Sequence, residues 1–230
     1  MPRHLAKSLS GWRGMPGAPV FLTVFLSLGL APAVPWAPGE KLDYRFTWQG
    51  ITVGELRLSA ESVGTGYRYS GRLEPQGMAA WLGFGLEAES VVGADLFTQS
   101  YQMSLTEPFK GTTLLSFSKS GKQGKGKVIH PDGSMSSWSS LENQVLDELS
   151  VLYFLRVNPE LKQLSLVDYP GLAQGKLVSL GKDSQGRAGY RFEQEGYDLE
   201  AWYRADSKRI LEKLVVKRDF GHMEAELINK

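Results

Sequence analysis

The sequence predicts a mainly β protein, built as a single curved antiparallel sheet of half-barrel or β-roll type with about ten strands and one packed helix near residues 139–157. Apolar and polar residues alternate over most of the chain, as they do in strands with one buried face. Clusters of Gly, Pro, Asp and Ser separate the alternating runs and predict short turns. One segment instead repeats its apolar residues every three to four positions, which predicts the helix.

Residues 1–33 are predicted to be a signal peptide. Arg3, Lys7 and Arg13 form a basic start without acidic residues, and the apolar stretch 20–30 precedes Ala31-Pro32-Ala33, which fits a cleavage site near Ala33. That stretch is shorter than the roughly 20 residues of a membrane-spanning helix, so an uncleaved anchor is the weaker alternative. We therefore expect a periplasmic or secreted protein in which residues 34–230 form a single soluble β-rich domain.

The composition excludes several classes of protein. The chain has no cysteine, which argues against a lipoprotein anchor, a disulfide framework and a cysteine nucleophile. Its 26 basic and 25 acidic residues are nearly balanced, so general electrostatic binding of nucleic acid is not expected.

The first predicted hairpin contains two glycines with separate roles. The inward face of its first strand carries an aromatic-rich row, Leu42, Tyr44, Phe46 and Trp48. Gly50 follows Gln49 at the predicted turn. Ile51 and Val53 occupy odd positions, whereas the apolar residues after Gly54 occupy even ones. A β-bulge at Gly54 would keep both sets on one buried face while bending the strand.

The helix is predicted over residues 139–157. Ser139 and Glu142 fit a capping box, Pro159 prevents continuation, and the apolar stripe contains Leu141, Val145, Leu149 and Leu152. Asp147, Tyr153 and Arg156 are predicted to have structural roles, and we expect Arg156 to anchor the end of the helix to the sheet. A shorter helical turn is predicted at 78–82.

Motifs that resemble nucleotide or metal sites lack the context that such sites need. The segment 121–127 has the spacing G-x-x-x-x-G-K, but Val128 replaces the hydroxyl residue and a turn follows instead of a helix. The segment 83–88 matches G-x-G-x-x-A but continues as a strand. His130 and His222 have no paired ligand nearby in sequence. We therefore assign no metal site, cofactor or catalytic residue.

Two pairs of carboxylates leave one enzymatic alternative. Glu87 with Glu89, and Asp198 with Glu200, are two residues apart on predicted strands, so each pair shares a face. Glycosidases use two carboxylates at comparable separations. The simpler interpretation is that these are charges on the solvent-facing side of the sheet.

Aromatic residues are the strongest candidates for ligand binding. A curved sheet with an aromatic inner face is suited to an acyl chain or a sugar ring. The candidate ligand-binding residues are Trp48, Trp81, Phe84, Tyr101 and Trp202. The glycine-flanked segment 78–84 is apolar without strand alternation, and it is a candidate lid or partner-binding loop.

Four groups of residues resemble motifs of the domain of unknown function family 3108, whose members are exported bacterial proteins. They are Gly39-Glu40-x-Leu42-x-Tyr44 with Trp48-x-Gly50-Ile51 and Gly54; Asp147-x-Leu149-Ser150-x-x-Tyr153-x-Leu155-Arg156; Trp202-x-x-x-Asp206-x-x-Arg209; and Gly221-x-x-x-Ala225-Glu226-Leu227. The resemblance implies a periplasmic, curled antiparallel β structure without an established activity. The C-terminal hairpins are also similar in style to those of periplasmic lipoprotein carriers.

Three functions are consistent with these observations. The favoured one is a non-enzymatic periplasmic protein that binds or carries a hydrophobic or lipid-like envelope component. The first alternative is a structural or assembly partner of an envelope protein complex, docking through 78–84. The least favoured is a glycan hydrolase that uses the paired carboxylates.

Overall fold

The computed structural model describes residues 34–160, 162–168, 171–194, 196–218 and 221–228. The predicted signal peptide, residues 1–33, lies outside these ranges. Within the described ranges, no helix is both long enough and apolar enough to cross a membrane.

In the part of the chain that the structure describes, one sheet of fifteen strands, rather than about ten, forms the fold. The strands are β1 (Glu40–Trp48), β2 (Ile51–Val63), β3 (Gly66–Pro75), β4 (Gly85–Val92), β5 (Thr98–Glu107), β6 (Gly111–Ser120), β7 (Gln123–Ile129), β8 (Met135–Ser140), β9 (Val145–Asp147), β10 (Gln163–Asp168), β11 (Gly171–Lys182), β12 (Ala188–Gln194), β13 (Tyr197–Tyr203), β14 (Leu211–Arg218) and β15 (Gly221–Leu227). The described residues also form two helices, α1 (Gly77–Trp81) and α2 (Ser150–Val157). The sequence underestimated the number of strands because β8 has few apolar residues and β9, with three residues, is too short to show alternation.

Strands that are neighbours in sequence are also neighbours in the sheet, except for β8 and β9. The first strand, β1, pairs with the last, β15, and β8 and β9 form the two edges. All pairs are antiparallel except β9 with β10. Two meanders are therefore joined through β1 and β15 into one continuous surface.

The two edges of the sheet overlap instead of pairing with each other. Asp147 of β9 accepts hydrogen bonds from Ser90 of β4 and Thr98 of β5, both at 2.6 Å, and all of β9 is buried. At the other edge, Trp138 of β8 lies beside Gly171 at the start of β11. The sheet thus curls until its two edge regions overlap. The inner edge, β9, is shielded from pairing with another chain.

The hairpin of β1 and β2 contains both features expected of its glycines. Gln49 and Gly50 form the turn with φ values of 50° and 78°. The register shifts opposite Gly54, since Phe46 pairs with Gly54 and Thr47 with Thr52. A Cβ on Gly54 would lie 2.3 Å from the Glu74 carbonyl oxygen, so the strands approach there at a distance that only glycine permits. Ile51, however, is 69% exposed and does not share the buried face.

Helix α2 begins at Ser150, so the predicted start at residue 139 is wrong. Ser139 pairs with β7, Val145 pairs with β10, and Leu141 is exposed. The N-cap residue is Leu149, whose own side chain makes no capping hydrogen bond. Asp147, two residues earlier, accepts the backbone N–H groups of Leu149 and Ser150 on its Oδ1 at 2.9 Å each. These bonds satisfy donors that the first turn of a helix leaves without intrahelical partners.

The sheet rolls around α2, whose residues from Ser150 to Arg156 are all buried. The ring of Tyr153 stacks on that of Tyr69 in β3, with centroids 4.1 Å apart. The Tyr203 hydroxyl of β13 donates to the Leu152 carbonyl at 2.8 Å. Helix α2 therefore contacts both meanders from inside the roll.

Two arginines hold the C-terminal end of α2. Arg156 donates to both carboxylate oxygens of Glu40 at the start of β1 and to the carbonyl of Lys208. Arg209 donates to the Leu155 carbonyl at 3.3 Å. Positive charge is favourable at this end of a helix because the exposed carbonyls make it negative.

Candidate functional site

An apolar cavity of about 480 Å³ lies between α2 and the inner face of the sheet. Alternating positions on β1, β2 and β5 form one wall, which includes Phe46, Leu56, Leu58, Met103 and Leu105. The C-terminal meander forms the other, which includes Leu199, Leu214, Val216 and Met223. Leu152 from α2 and Leu149 before it also line the cavity. Strand alternation places one continuous set of large apolar side chains around this space.

Small residues on β3 and β4 contribute to the shape of the cavity. Gly71 and Ala88 both line it. A Cβ on Gly71 would lie 2.9 Å from a methyl group of Leu149, so glycine allows Leu149 to pack closely against β3. The cavity therefore depends on these small residues as well as on the large ones that face it.

A polar centre occupies one part of the otherwise apolar lining. The Tyr101 hydroxyl of β5 lies 3.3 Å from Oε2 of Glu148, and the Tyr197 hydroxyl of β13 lies 3.3 Å from Oε1. Both tyrosines are buried and Glu148 is half-buried. Glu148 directly follows β9 and precedes α2, so β9, the inner edge of the sheet, positions this carboxylate at the cavity.

The rim of the cavity lies where β1, β3 and β5 end. Glu107 and Lys110 stand there as an ion pair at 2.9 Å. The cavity-lining residues of β5 from this rim inward are Glu107, Leu105, Met103 and Tyr101. At about 3.3 Å per residue, Tyr101 is roughly 20 Å along the strand from Glu107. The polar centre and the charged rim are therefore at opposite ends of this wall.

Five large apolar side chains, which we call the apolar rim, are exposed at the same end of the sheet. They are Trp48, Ile51, Met78, Trp81 and Phe109, with exposed fractions of 40%, 69%, 76%, 84% and 95%. Trp48 and Ile51 flank the β1–β2 turn, Met78 and Trp81 belong to α1, and Phe109 lies in the β5–β6 turn. A cluster of exposed apolar residues around a cavity entrance is typical of a binding surface.

Helix α1 connects the apolar rim with the cavity. Ala79 is buried and fixes the helix on the sheet, while Met78 and Trp81 point into solvent. Gly77 and Gly83, with φ values of 57° and 72°, turn the chain at either end. The residues that follow α1, Leu82 and Phe84, line the cavity.

The structure brings together three of the five predicted ligand-binding residues. Trp48, Phe84 and Tyr101 line the cavity. Trp81 belongs to the apolar rim outside it. Trp202 lies on the outer face of β13, where its ring covers Gly189, because the inward positions of that strand are Tyr197, Leu199, Ala201 and Tyr203.

Sequence reasoning did not identify Glu148 or Tyr197. Tyr197 lies at an odd-numbered position of β13, as the apolar buried residues of that strand do. Strand alternation was therefore sufficient to predict that its side chain points inward. Glu148 has no comparable signal. It lies in a short connection between β9 and α2 and was assigned to the helix.

Three of the four paired carboxylates, Glu87, Glu89 and Glu200, lie in ion pairs on the outer face of the sheet. Glu87 faces Arg72 at 3.4 Å and Glu89 faces Arg68 at 3.6 Å. Glu200 is bound by Arg191 at 3.0 Å and Lys217 at 3.1 Å. Burial acts to raise the pKa of Glu200, but the hydrogen bonds and charges of Lys217 and Arg191 hold it below its usual range. These positions are away from the cavity and give no support to the hydrolase alternative.

The turns that resembled nucleotide or metal motifs have ordinary structures. Residues 121–122 join β6 and β7 in a hairpin, which offers no helix N-terminus to a phosphate. His222 lies 3.7 Å from Glu224, a contact that is an ion pair only when the histidine is protonated. Within the described ranges there is no group of three or more His, Asp or Glu residues that could hold a metal ion.

A larger but more open groove of about 820 Å³ lies between residues 142–144 and the strands β10 to β12. Its lining is mainly polar and includes Gln144, Gln163, Gln174 and Lys176. An open groove lined by polar side chains is well hydrated and is not suited to an apolar ligand. The apolar cavity is less open, lies between α2 and the sheet, and carries a specific polar group, so it is the better candidate site.

Comparison with known proteins agrees with this architecture. The model of the family DUF3108, described as a protein of unknown function, matches residues 43–228. No curated protein matches the chain.

Among solved structures, the chain is similar to a β-barrel-like protein of domain of unknown function DUF1849 from Brucella abortus. The identity is 12%, the alignment covers 86% of this chain and 98% of the other, and the TM-score is 0.52. The similarity is one of fold.

Proposed function

This chain belongs to the DUF3108 family, as the match over residues 43–228 shows, and we propose that it is an exported, non-enzymatic protein that binds a hydrophobic or lipid-like molecule in its internal cavity. Export is supported by the basic and apolar composition of residues 1–33. The cellular location that best fits this combination is the periplasm.

The observation that carries the proposal is the apolar cavity itself. Its volume of about 480 Å³ lies within the range of about 300–1,000 Å³ typical of small-molecule sites. Cavities lined by apolar side chains cost stability and readily take up apolar molecules. A fold that maintains such a volume beside a buried helix is therefore suited to a hydrophobic ligand.

The test is binding of N-phenyl-1-naphthylamine, an uncharged probe whose fluorescence rises in apolar surroundings. Met103→Trp places a larger side chain in the cavity, because Met103 lines it and is 5% exposed. Leu114→Trp, on the outer face and 44% exposed, is the matched control. We expect wild-type protein and Leu114→Trp to bind the probe and Met103→Trp to lose binding while remaining folded by circular dichroism. Absence of probe binding by the wild-type protein contradicts the proposal.

Native mass spectrometry of protein purified from its own cells is an independent test. A hydrophobic ligand retained from the cell would appear as an additional mass that disappears on denaturation. Repeated preparations containing only bare polypeptide, with lipid present during purification, would count strongly against a carrier.

A second candidate function is docking on an envelope protein through the apolar rim. Met78 and Trp81 on α1 support it, because they are large, apolar and mostly exposed. A photo-cross-linking residue at position 81 tests this candidate in cells. Capture of one defined partner, lost when the same residue is placed at the exposed but polar Lys122, would favour docking; no capture from position 81 would oppose it.

A further inference from the structure

We propose that the cavity limits the hydrocarbon chain that it accepts to about 14 carbons, because buried tyrosines form its floor, and that Ala88 keeps the path to that floor open. The proposal rests on the proposed function, since it names the class of ligand, unbranched alkyl or acyl chains of limited length, that the same cavity would take. The limit follows from the dimensions of the cavity and does not depend on any charge in its lining.

Two buried tyrosines form the floor of the cavity, at the end away from the apolar rim. Phe46 on β1 and Gly71 on β3 line the cavity. The next positions on the same faces of these strands, Tyr44 and Tyr69, are fully buried. The Tyr44 hydroxyl donates to the Leu211 carbonyl at 2.9 Å, and the Tyr69 ring stacks on a ring of α2 with centroids 4.1 Å apart. Side chains held in this way form a rigid stop for a chain that enters from the rim.

The strands set the depth between this floor and the apolar rim. Trp48 is four residues from Tyr44 on β1, or about 13 Å at about 3.3 Å per residue. Pro75, at the end of β3 before α1, is six residues from Tyr69, or about 20 Å. An extended alkyl chain advances about 1.3 Å per carbon, since its bonds of about 1.5 Å meet at tetrahedral angles. The depth therefore corresponds to a chain of about 10–15 carbons.

The volume of the cavity leads to a similar limit. A methylene group occupies about as much space as a molecule of liquid water, which is about 30 Å³. The cavity of about 480 Å³ therefore holds at most about 16 such groups. A chain of about 14 carbons fills this space and leaves room for imperfect packing.

Small side chains keep the path to the floor open. Four paired neighbours on β2 to β5 line the cavity at one level, and they are Leu58, Gly71, Ala88 and Met103. A Cβ on Gly71 would lie 2.9 Å from a methyl group of Leu149, so glycine lets Leu149 pack against β3. Ala88 adds only a methyl group between Gly71 and Met103. A large side chain at position 88 would therefore block the cavity at this level.

The test is displacement of N-phenyl-1-naphthylamine from wild-type protein by lysophosphatidylcholines with saturated chains from octanoyl to octadecanoyl, each below its micelle concentration. All of them have the same head group, so differences in affinity report the chain. We expect the affinity to rise about fourfold per carbon while each added methylene group is buried, and to level off near tetradecanoyl.

The outcomes separate this inference from the proposed function. A rise at the same rate through octadecanoyl, or affinities that do not depend on chain length, would overturn the inference and leave the proposed function intact. Failure of the probe and of every chain to bind would overturn the proposed function itself.

Two variants locate the limit. Ala88→Phe leaves the chain only the space between Met103 and Glu107 at the rim, which are four residues or about 13 Å apart on β5. Its affinities should level off at about 10 carbons, so that tetradecanoyl binds no more tightly than decanoyl. Ser116→Phe adds the same ring at an exposed position on the outer face of β6 and should keep the wild-type limit.

Circular dichroism checks that both variants are folded. An unchanged limit in folded Ala88→Phe would overturn the assignment of the path along Ala88. The wild-type series tests the limit independently of how either variant folds.

Discussion

The Arg156 guanidinium donates to both carboxylate oxygens of Glu40, and so joins the last turn of α2 to the first residue of β1. The two residues are 116 positions apart in the chain. Arg156 also lies 5.3 Å from the centre of the Trp36 ring, and its side chain is 1% exposed. A buried, bidentate pair of this kind connects the internal helix to the strand that unites the two meanders.

Removal of this arginine should destabilise the protein substantially. Arg156→Ala leaves Glu40 and the Lys208 carbonyl without their donor, and breaking a buried ion pair typically costs about 3–5 kcal/mol. Arg72→Ala is the control, because its pair with Glu87 is exposed on both sides and such pairs contribute about 0–1 kcal/mol. Urea unfolding followed by circular dichroism measures both. Equal stability of Arg156→Ala and wild type would contradict the anchoring role.

Asp147 should produce a characteristic dependence of stability on pH. Burial raises the pKa of Asp147 above its usual value, although the hydroxyl groups of Ser90 and Thr98 favour the ionised form. A raised pKa in the folded state means that the group's contribution is complete below the unfolded pKa of about 3.9 and is lost as the pH rises through the folded value.

Asp147→Asn isolates that contribution because it cannot titrate. We expect the unfolding free energy of wild type minus that of Asp147→Asn to decrease as the pH is raised from about 3.5 toward neutrality. Thermal unfolding at a series of pH values measures the difference. A difference that increases with pH would show that the hydrogen bonds, and not burial, dominate the titration.

Gly54 should not tolerate even a methyl group. In Gly54→Ala the new Cβ would lie 2.3 Å from the Glu74 carbonyl oxygen, which belongs to the backbone of β3 and cannot move without disturbing the sheet. We expect a loss of about 2 kcal/mol or more. Gly85→Ala is the matched control, because the nearest atom to its Cβ, in Thr106, is 3.9 Å away. Chemical denaturation distinguishes them, and similar stabilities would disprove the close approach.

A ligand in the cavity should stabilise the fold. N-phenyl-1-naphthylamine at about 100 times its dissociation constant is expected to add about 2.7 kcal/mol to the unfolding free energy. For a domain of this size that corresponds to a rise in Tm of roughly 5–10 °C. Differential scanning calorimetry measures the shift, and Met103→Trp should show little of it. A shift of the same size in that variant would place the probe elsewhere.

The apolar rim should contribute little to stability. Trp81→Ser removes a side chain that is 84% exposed, so the unfolding free energy should change by no more than about 0.5 kcal/mol. Tyr153→Ser is the contrasting change, since its ring is buried against Tyr69 and its loss should cost about 3–5 kcal/mol. Thermal unfolding compares the two. A large effect of Trp81→Ser would indicate that the rim packs on the fold.

The helix shows where sequence reasoning succeeded and where it failed. Spacing of apolar residues predicted a helix that ends near residue 157, and the structure confirms that end. The start was wrong because Leu141 and Val145 happen to continue the helical spacing, while one is exposed and the other belongs to β9. Backbone pairing with distant strands decided between strand and helix, and this pairing has no trace in the local pattern.

The alternation of side chains and the turn residues were enough to predict a mainly antiparallel β protein, a bend at Gly54 and an inward-facing row at Leu42, Tyr44, Phe46 and Trp48. Trp48 lines the cavity but is 40% exposed. These features depend on residues that are close together in sequence. The overlap of the sheet edges, the apolar cavity and the meeting of Glu148 with Tyr101 and Tyr197 depend instead on segments that are far apart in sequence. Glu148 is 47 and 49 residues from its two tyrosine partners. Their positions follow from how far a twisted sheet of fifteen strands rolls around α2, a property of the whole sheet rather than of any one strand.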